Sequence, residues 1–104
     1  MAASFDFSKT TGFEWDKANI EHIKKHDINY RECEEAILSE PLITNNDETH
    51  SQIEERFRAY GKTNNKRLIL IIFTIRNNKI RVVSARDQSR KERKEFQETG
   101  GEQS

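Results

Sequence analysis

Apolar residues are thinly spread along this chain and gather in one place, residues 67–86, RLILIIFTIRNNKIRVVSAR. Leu68 to Ile75 form a run rich in β-branched and aromatic residues; Asn77-Asn78 interrupt it, and Ile80, Val82 and Val83 resume it. Such a pattern predicts two strands. Asparagine tolerates the positive φ that a two-residue hairpin turn demands, so the strands are expected to be antiparallel and joined at Asn77-Asn78. Alternation puts Ile69, Ile71, Phe73 and Ile75 on one face of the first strand, and Leu68, Leu70, Ile72, Thr74 and Arg76 on the other. Apolar on both faces, that strand should be central. Arg81 and Arg86 stand among the apolar residues of the second strand and must reach solvent or meet an anion.

Upstream, the period becomes helical. Residues 1–11 lack periodicity and read as a loose leader. Phe13-Glu14-Trp15 reads as a short edge strand, and Asp16 as an N-cap for a helix from about Lys17 to His26. Trp15 and Ile20 have the spacing of a hydrophobic staple. Asp27 or Asn29 can break that helix. Asn29 with Glu32 predicts a capping box for a second helix, whose apolar face is Tyr30, Cys33, Ala36 and Ile37 and which Pro41 ends. Leu42 to Thr44 can form a strand, Asn45 to Gln52 a polar loop. In Ile53 to Lys62, Glu55, Phe57, Ala59 and Gly61 alternate with Glu54, Arg56, Arg58 and Tyr60. Asn64-Asn65 should turn that segment into the central strand. Ser89 and Glu92 predict a capping box for a basic last helix, and Gly100-Gly101 begin a tail over 98–104. The resulting order, helices followed by a meander and a closing helix, predicts an α+β domain over 12–97 with its helices on one face of an antiparallel sheet.

Composition sharpens this picture in two ways. Only 33% of residues are hydrophobic and 35% are charged, so a single modest core is expected. The formal charge of zero conceals a division. Residues 1–55 carry 5 basic and 13 acidic side chains, whereas residues 56–94 carry 13 basic and 2 acidic. Either a basic surface awaits a polyanion, or the two halves pair across the fold. One cysteine, Cys33, rules out an internal disulfide and belongs in the core of the second helix. No apolar run approaches a membrane span and no signal-like start is present, so a soluble, cytoplasmic protein is expected.

Several blocks carry a resemblance: Phe13-Glu14-Trp15-Asp16, Asn19 with Ile20-Glu21-His22-Ile23, Lys25-His26, Glu54-Glu55-Arg56-Phe57, Gly61, and above all Ile80-Arg81-Val82-Val83-Ser84-Ala85-Arg86 followed by Arg90-Lys91-Glu92-Arg93. On these residues, from about Phe13 to Phe96, the sequence resembles the BrnT family of toxins from bacterial type II toxin-antitoxin systems. It departs at Asp27, where the family often has Gly, and some members lack the loop around Asn45 to Gln52. The resemblance implies a RelE-like ribonuclease fold, cleavage of RNA, and neutralisation by a cognate BrnA-type antitoxin. That antitoxin would be a ribbon-helix-helix DNA-binding protein forming a hetero-oligomer with the toxin. A non-catalytic RNA- or protein-binding module of the same fold is the alternative.

Cleavage of RNA by its own 2′-hydroxyl needs a base, a proton donor for the leaving 5′-oxygen, and cations around the phosphorane, and Arg, Glu and His supply these without a metal or other cofactor. Arg56, Arg81 and Arg86 are the candidates for phosphate, since guanidinium grips phosphate oxygens in bidentate fashion. Each also reads as a solvated strand arginine. In a regular strand Arg81 and Arg86 face opposite ways, and they converge only if a bulge intervenes or the strand ends near Ser84. Glu54 or Glu55 is the candidate base, with His50 as an alternative. Of the two glutamates, Glu54 shares a face with Arg56. Arg58, Lys62, Arg76, Arg90, Lys91 and Arg93 are candidate nucleic-acid contacts. Asn19, His22 and His26 share a helical face but lack a carboxylate or cysteine to complete a zinc site, so capping or packing is the expectation.

Overall fold

The central strand is where the apolar pattern put it. The computed structural model describes residues 7–40, 42–47 and 54–101. Pro41, His50 and the rest of residues 48–53 lie outside the described residues, as do 1–6 and 102–104. Four strands form one antiparallel sheet in sequence order: β1 (Ile43–Asn46), β2 (Phe57–Lys62), β3 (Leu68–Arg76) and β4 (Lys79–Asp87). β3 is therefore covered on both edges, as its two apolar faces require.

The β3–β4 turn takes positive φ at Asn77 (54°) and Asn78 (64°), the pair of left-handed residues that matches the twist of a two-residue hairpin. The β2–β3 connection differs from expectation. Asn64 and Asn65 keep ordinary φ, and Lys66 takes the left-handed value of 69°. Its N–H closes the turn on the Thr63 carbonyl at 2.9 Å, so three residues make the loop and the strain falls on the last. β1 extends to Asn46, because Asn45 and Asn46 pair with Arg58 and Phe57 rather than entering the loop.

Capping chemistry sets the helices. α1 (Lys17–Lys24) opens on a box in which Asn19 N–H donates to Asp16 Oδ1 (3.1 Å) and Asp16 N–H donates to Asn19 Oδ1 (2.8 Å). It stops two residues before His26, in a turn that brings Asp27 to φ 59°. α2 (Tyr30–Ile37) opens on the Asn29–Glu32 box and buries Cys33, Ala36 and Ile37. With Ile23 and Ile28 these side chains cover Ala59, Ile69, Ile71, Phe73, Ile80, Val82 and Ala85 on one face of the sheet. Phe7, in a 3-10 turn over Phe7–Lys9, packs on Phe73 with ring centroids 5.8 Å apart. The edge strand expected at Phe13-Glu14-Trp15 is a single parallel bridge from Phe13 to Ile80.

The third helix takes the other face, contrary to the expectation of helices on one side only. α3 (Arg90–Phe96) opens on the Ser89–Glu92 box, runs into a π-helical turn at Gln97–Gly101, and buries Phe96 in a cleft shared with Ile43 and Tyr60. Its apolar surface is confined to its last turn, so one aromatic peg suffices to hold it there.

Candidate nucleic-acid interface

A bulge in β4 decides how the arginines meet. Ile72 pairs with Ser84 but Phe73 with Val82, so Val83 is an extra residue without a partner across the ladder. The bulge reverses the alternation of β4: Ile80 and Val82 face the core before it, Ala85 after it. Arg81 consequently stands opposite Thr74, and Arg86 opposite Leu70, both on the sheet face opposite the core side chains Ile69, Ile71 and Phe73. The two are separated by four residues of β3, roughly 13 Å at the rise of a strand. Arg56 directly precedes Phe57, the partner of Phe73, and so continues the register next to Thr74 on the side opposite Arg81.

Two clefts lie side by side here. His22, Glu54, Arg56, Arg76 and Arg81 line an open one of ≈ 280 Å³ at the junction of α1 with the sheet. Asp47, Arg56, Arg58, Ser84 and Arg86 line another of ≈ 320 Å³, floored by Leu70, Ile72 and Val83. Arg56 and Val83 belong to both.

Acidic side chains engage several of these cations. Arg81 Nη1 lies 2.9 Å from Asp16 Oδ2 and 3.6 Å from Glu14 Oε1, and the Arg81 side chain is only 15% exposed. Arg81, followed by the Asn19 N–H, holds the Asp16 carboxyl below the usual carboxylate range. Arg56 and Arg76 each approach Glu54 at 3.5 Å. Arg86 forks onto Glu92, Nη1 to Oε1 at 2.8 Å and Nη2 to Oε2 at 3.0 Å, and that contact holds the Glu92 carboxyl down to about 2. Pairs such as Arg81–Asp16 and Arg67–Glu32 join the acidic and basic halves, so part of the charge division is spent inside the fold. Arg90 and Lys91 are exposed on α3, Arg93 donates to the Gln88 carbonyl at 2.9 Å, and Lys62 is half-buried opposite Leu68.

The sequence-predicted residues are thus partly assembled. Arg56, Arg76, Arg81 and Glu54 meet in one cleft and Arg56, Arg58 and Arg86 in its neighbour. Glu55 is exposed and lines a third cleft with Lys9, Glu54, Thr74 and Ile75, to which none of the arginines contributes. Sequence reasoning missed His22 and Asp47 as cleft residues. The position of His22 depends on how α1 packs on β4, and that of Asp47 on the extension of β1, neither of which periodicity reports. Asn19 is absorbed by capping, with Nδ2 donating to the Glu14 carbonyl at 2.9 Å. Among the described residues, no three His, Cys, Asp or Glu side chains gather as metal ligands would.

One family model, described as the ribonuclease toxin BrnT of type II toxin-antitoxin systems, matches residues 15–92. The chain belongs to the BrnT family. No curated protein matches it. The BrnT match runs from Trp15 to Glu92 and so takes in every residue named for the two arginine clefts and both ends of the Arg86–Glu92 pair; Lys9, Glu14 and Phe96 lie outside it. Membership makes this a ribonuclease toxin of a type II system, with RNA as its target and an antitoxin as its partner. No helix among the described residues is long and apolar enough to cross a membrane.

Proposed function

We propose that the chain is a metal-independent endoribonuclease that inhibits growth in the cytoplasm and is neutralised by a BrnA-type antitoxin, a ribbon-helix-helix protein bound to it in a hetero-oligomer. One observation supports the site assignment: Arg56, Arg76 and Arg81 line one open cleft together with Glu54 and His22. A phosphate in that cleft meets guanidinium from Arg56 and Arg81, and two cations on the equatorial oxygens favour the crowded phosphorane over the ground state. Glu54, kept beside Arg56 and Arg76, takes the proton of the 2′-hydroxyl as that oxygen attacks phosphorus. The bond from phosphorus to the 5′-oxygen breaks, and the 5′-oxygen takes a proton from the imidazolium of His22. The products are a 2′,3′-cyclic phosphate and a 5′-hydroxyl. Arg58, Arg86 and the exposed Arg90 and Lys91 extend the basic track for flanking phosphates.

A specific observation favours the second reading, a binding module that does not cut. Arg81 is already held by Asp16, and Arg56 by Glu54, so the arginines also serve as internal ties. Induction in bacteria separates the two readings. Wild type should stop growth and degrade cellular RNA, and a folded Arg56→Ala, Glu54→Gln variant should do neither. Wild type that leaves both growth and RNA untouched supports the binding module.

A further inference from the structure

We propose that Asp16 is a positioning residue for the cleft: one of its carboxylate oxygens caps α1, the other holds Arg81, and together they keep His22 and the Arg81 guanidinium at a fixed separation. The proposal rests on the ribonuclease reading above and adds a residue to the same site.

The connections run through few atoms. Asp16 Oδ1 accepts the Asn19 N–H at 3.1 Å, and Asp16 Oδ2 lies 2.9 Å from Arg81 Nη1. Asn19, only 4% exposed, returns two contacts: its Oδ1 accepts the Asp16 N–H at 2.8 Å, and its Nδ2 donates to the Glu14 carbonyl at 2.9 Å. Glu14 in turn donates its N–H to the carbonyl of Ile80, the chain neighbour of Arg81, at 2.9 Å. A ring of contacts thus joins the first turn of α1 to β4 at Ile80-Arg81. Ala18, Asn19 and His22 line the cleft from the helix, and Arg81 lines it from the sheet. His22 stands one turn beyond Ala18, so a shift of the capped turn carries the imidazole with it.

Capping alone does not call for a carboxylate. Asn29 caps α2 and Ser89 caps α3, each closing a box with the third helical residue, and these three side-chain types cap about equally well. What aspartate adds is a second, charged oxygen, and here Arg81 engages it. The way it does so suits a phosphate. Nη1 is the tied atom, whereas Nε and Nη2, the side-on pair of donors of a rigid planar group, have no partner among the described residues. Such an edge grips two oxygens of a phosphate at once. Without Asp16 the guanidinium keeps only Glu14, at 3.6 Å, and is free to turn.

The test is a double-mutant cycle in the full chain, with Asp16→Ser, Arg81→Ala and the two combined, read as kcat and KM on an oligoribonucleotide well below each variant's melting temperature. Serine keeps the cap and removes the Arg81 contact. In the wild-type background Asp16→Ser should lower kcat roughly tenfold, by more than it raises KM. With Arg81 already alanine, it should change kcat by less than about twofold. Asp16→Asn, which also caps but turns an amide NH2 towards Arg81, should match serine and takes its place if serine does not fold. An equal loss in both backgrounds, or no loss in either, overturns the positioning role and leaves the ribonuclease reading standing. Should wild type leave the oligomer intact, that reading falls, and the same cycle is read as affinity for the oligomer by fluorescence anisotropy. Coupling between the two residues then upholds Asp16 as the group that presents Arg81; additive effects, or no binding, overturn it.

Discussion

Arg86 and Glu92 form a two-point fork, 2.8 and 3.0 Å, that ties the end of β4 to the first turn of α3. Glu92 also accepts the Ser89 N–H at 2.8 Å, so one carboxylate caps the helix and anchors it. Its carboxyl titrates at about 2 in the folded chain against an ordinary 4.5, so it stabilises the fold above about pH 4.5 and that contribution is lost as the pH falls towards 2. Because Arg86 is 44% exposed, solvent screens the pair and the effect should be about 1 kcal/mol. Urea midpoints should fall more steeply between about pH 5 and about pH 2.5 for wild type than for Glu92→Gln.

Arg67 is the most heavily used cation in the described fold. It donates to both Asp87 oxygens (2.7 and 3.2 Å), to Glu32 (3.3 Å) and to the carbonyls of Asp27 (2.8 Å) and His26 (3.2 Å). One planar fork thus closes the β2–β3 loop, the end of β4 and the α1–α2 turn together. Arg67→Met should cost about 3 kcal/mol in chemical denaturation by stranding those acceptors. Arg67→Lys should recover little, since a point charge cannot reproduce the fork.

Gly61 faces α2 where the backbones come closest. A Cβ there would run into the Ala36 carbonyl, with the carbonyl carbon 3.0 Å and the Ala36 Cβ 3.2 Å away. Helix backbone cannot yield as a flexible side chain would, so Gly61→Ala should destabilise by about 2 kcal/mol. A melting temperature unchanged within error would show that α2 can slide.

Much of this was legible in advance, and for local reasons. The caps at Asp16, Asn29 and Ser89, the Asn77-Asn78 hairpin and the central position of β3 each follow from a few adjacent residues. The site was harder, because it depends on relations between elements. The need for a bulge between Arg81 and Arg86 could be stated from their spacing, but not which residue would bulge. Glu54 and Glu55 are adjacent in sequence, and only the packing around the sheet places the first with the arginines and the second outside. His22 reaches the cleft through the contact of α1 with β4, and Arg67 gathers partners from three distant segments, neither of which has a sequence signature.

The central claim is that the Arg56–Arg81 face cuts RNA through its own 2′-hydroxyl. It is tested most directly by incubating purified protein with an oligoribonucleotide in excess chelator and identifying product ends by mass spectrometry. The account predicts 2′,3′-cyclic phosphate and 5′-hydroxyl ends, no cleavage when the single attacking 2′-hydroxyl is replaced by hydrogen, and at least about a hundredfold slower reaction in folded Arg56→Ala. Intact RNA, or cleavage that stops with chelator and leaves 5′-phosphate ends, would contradict it.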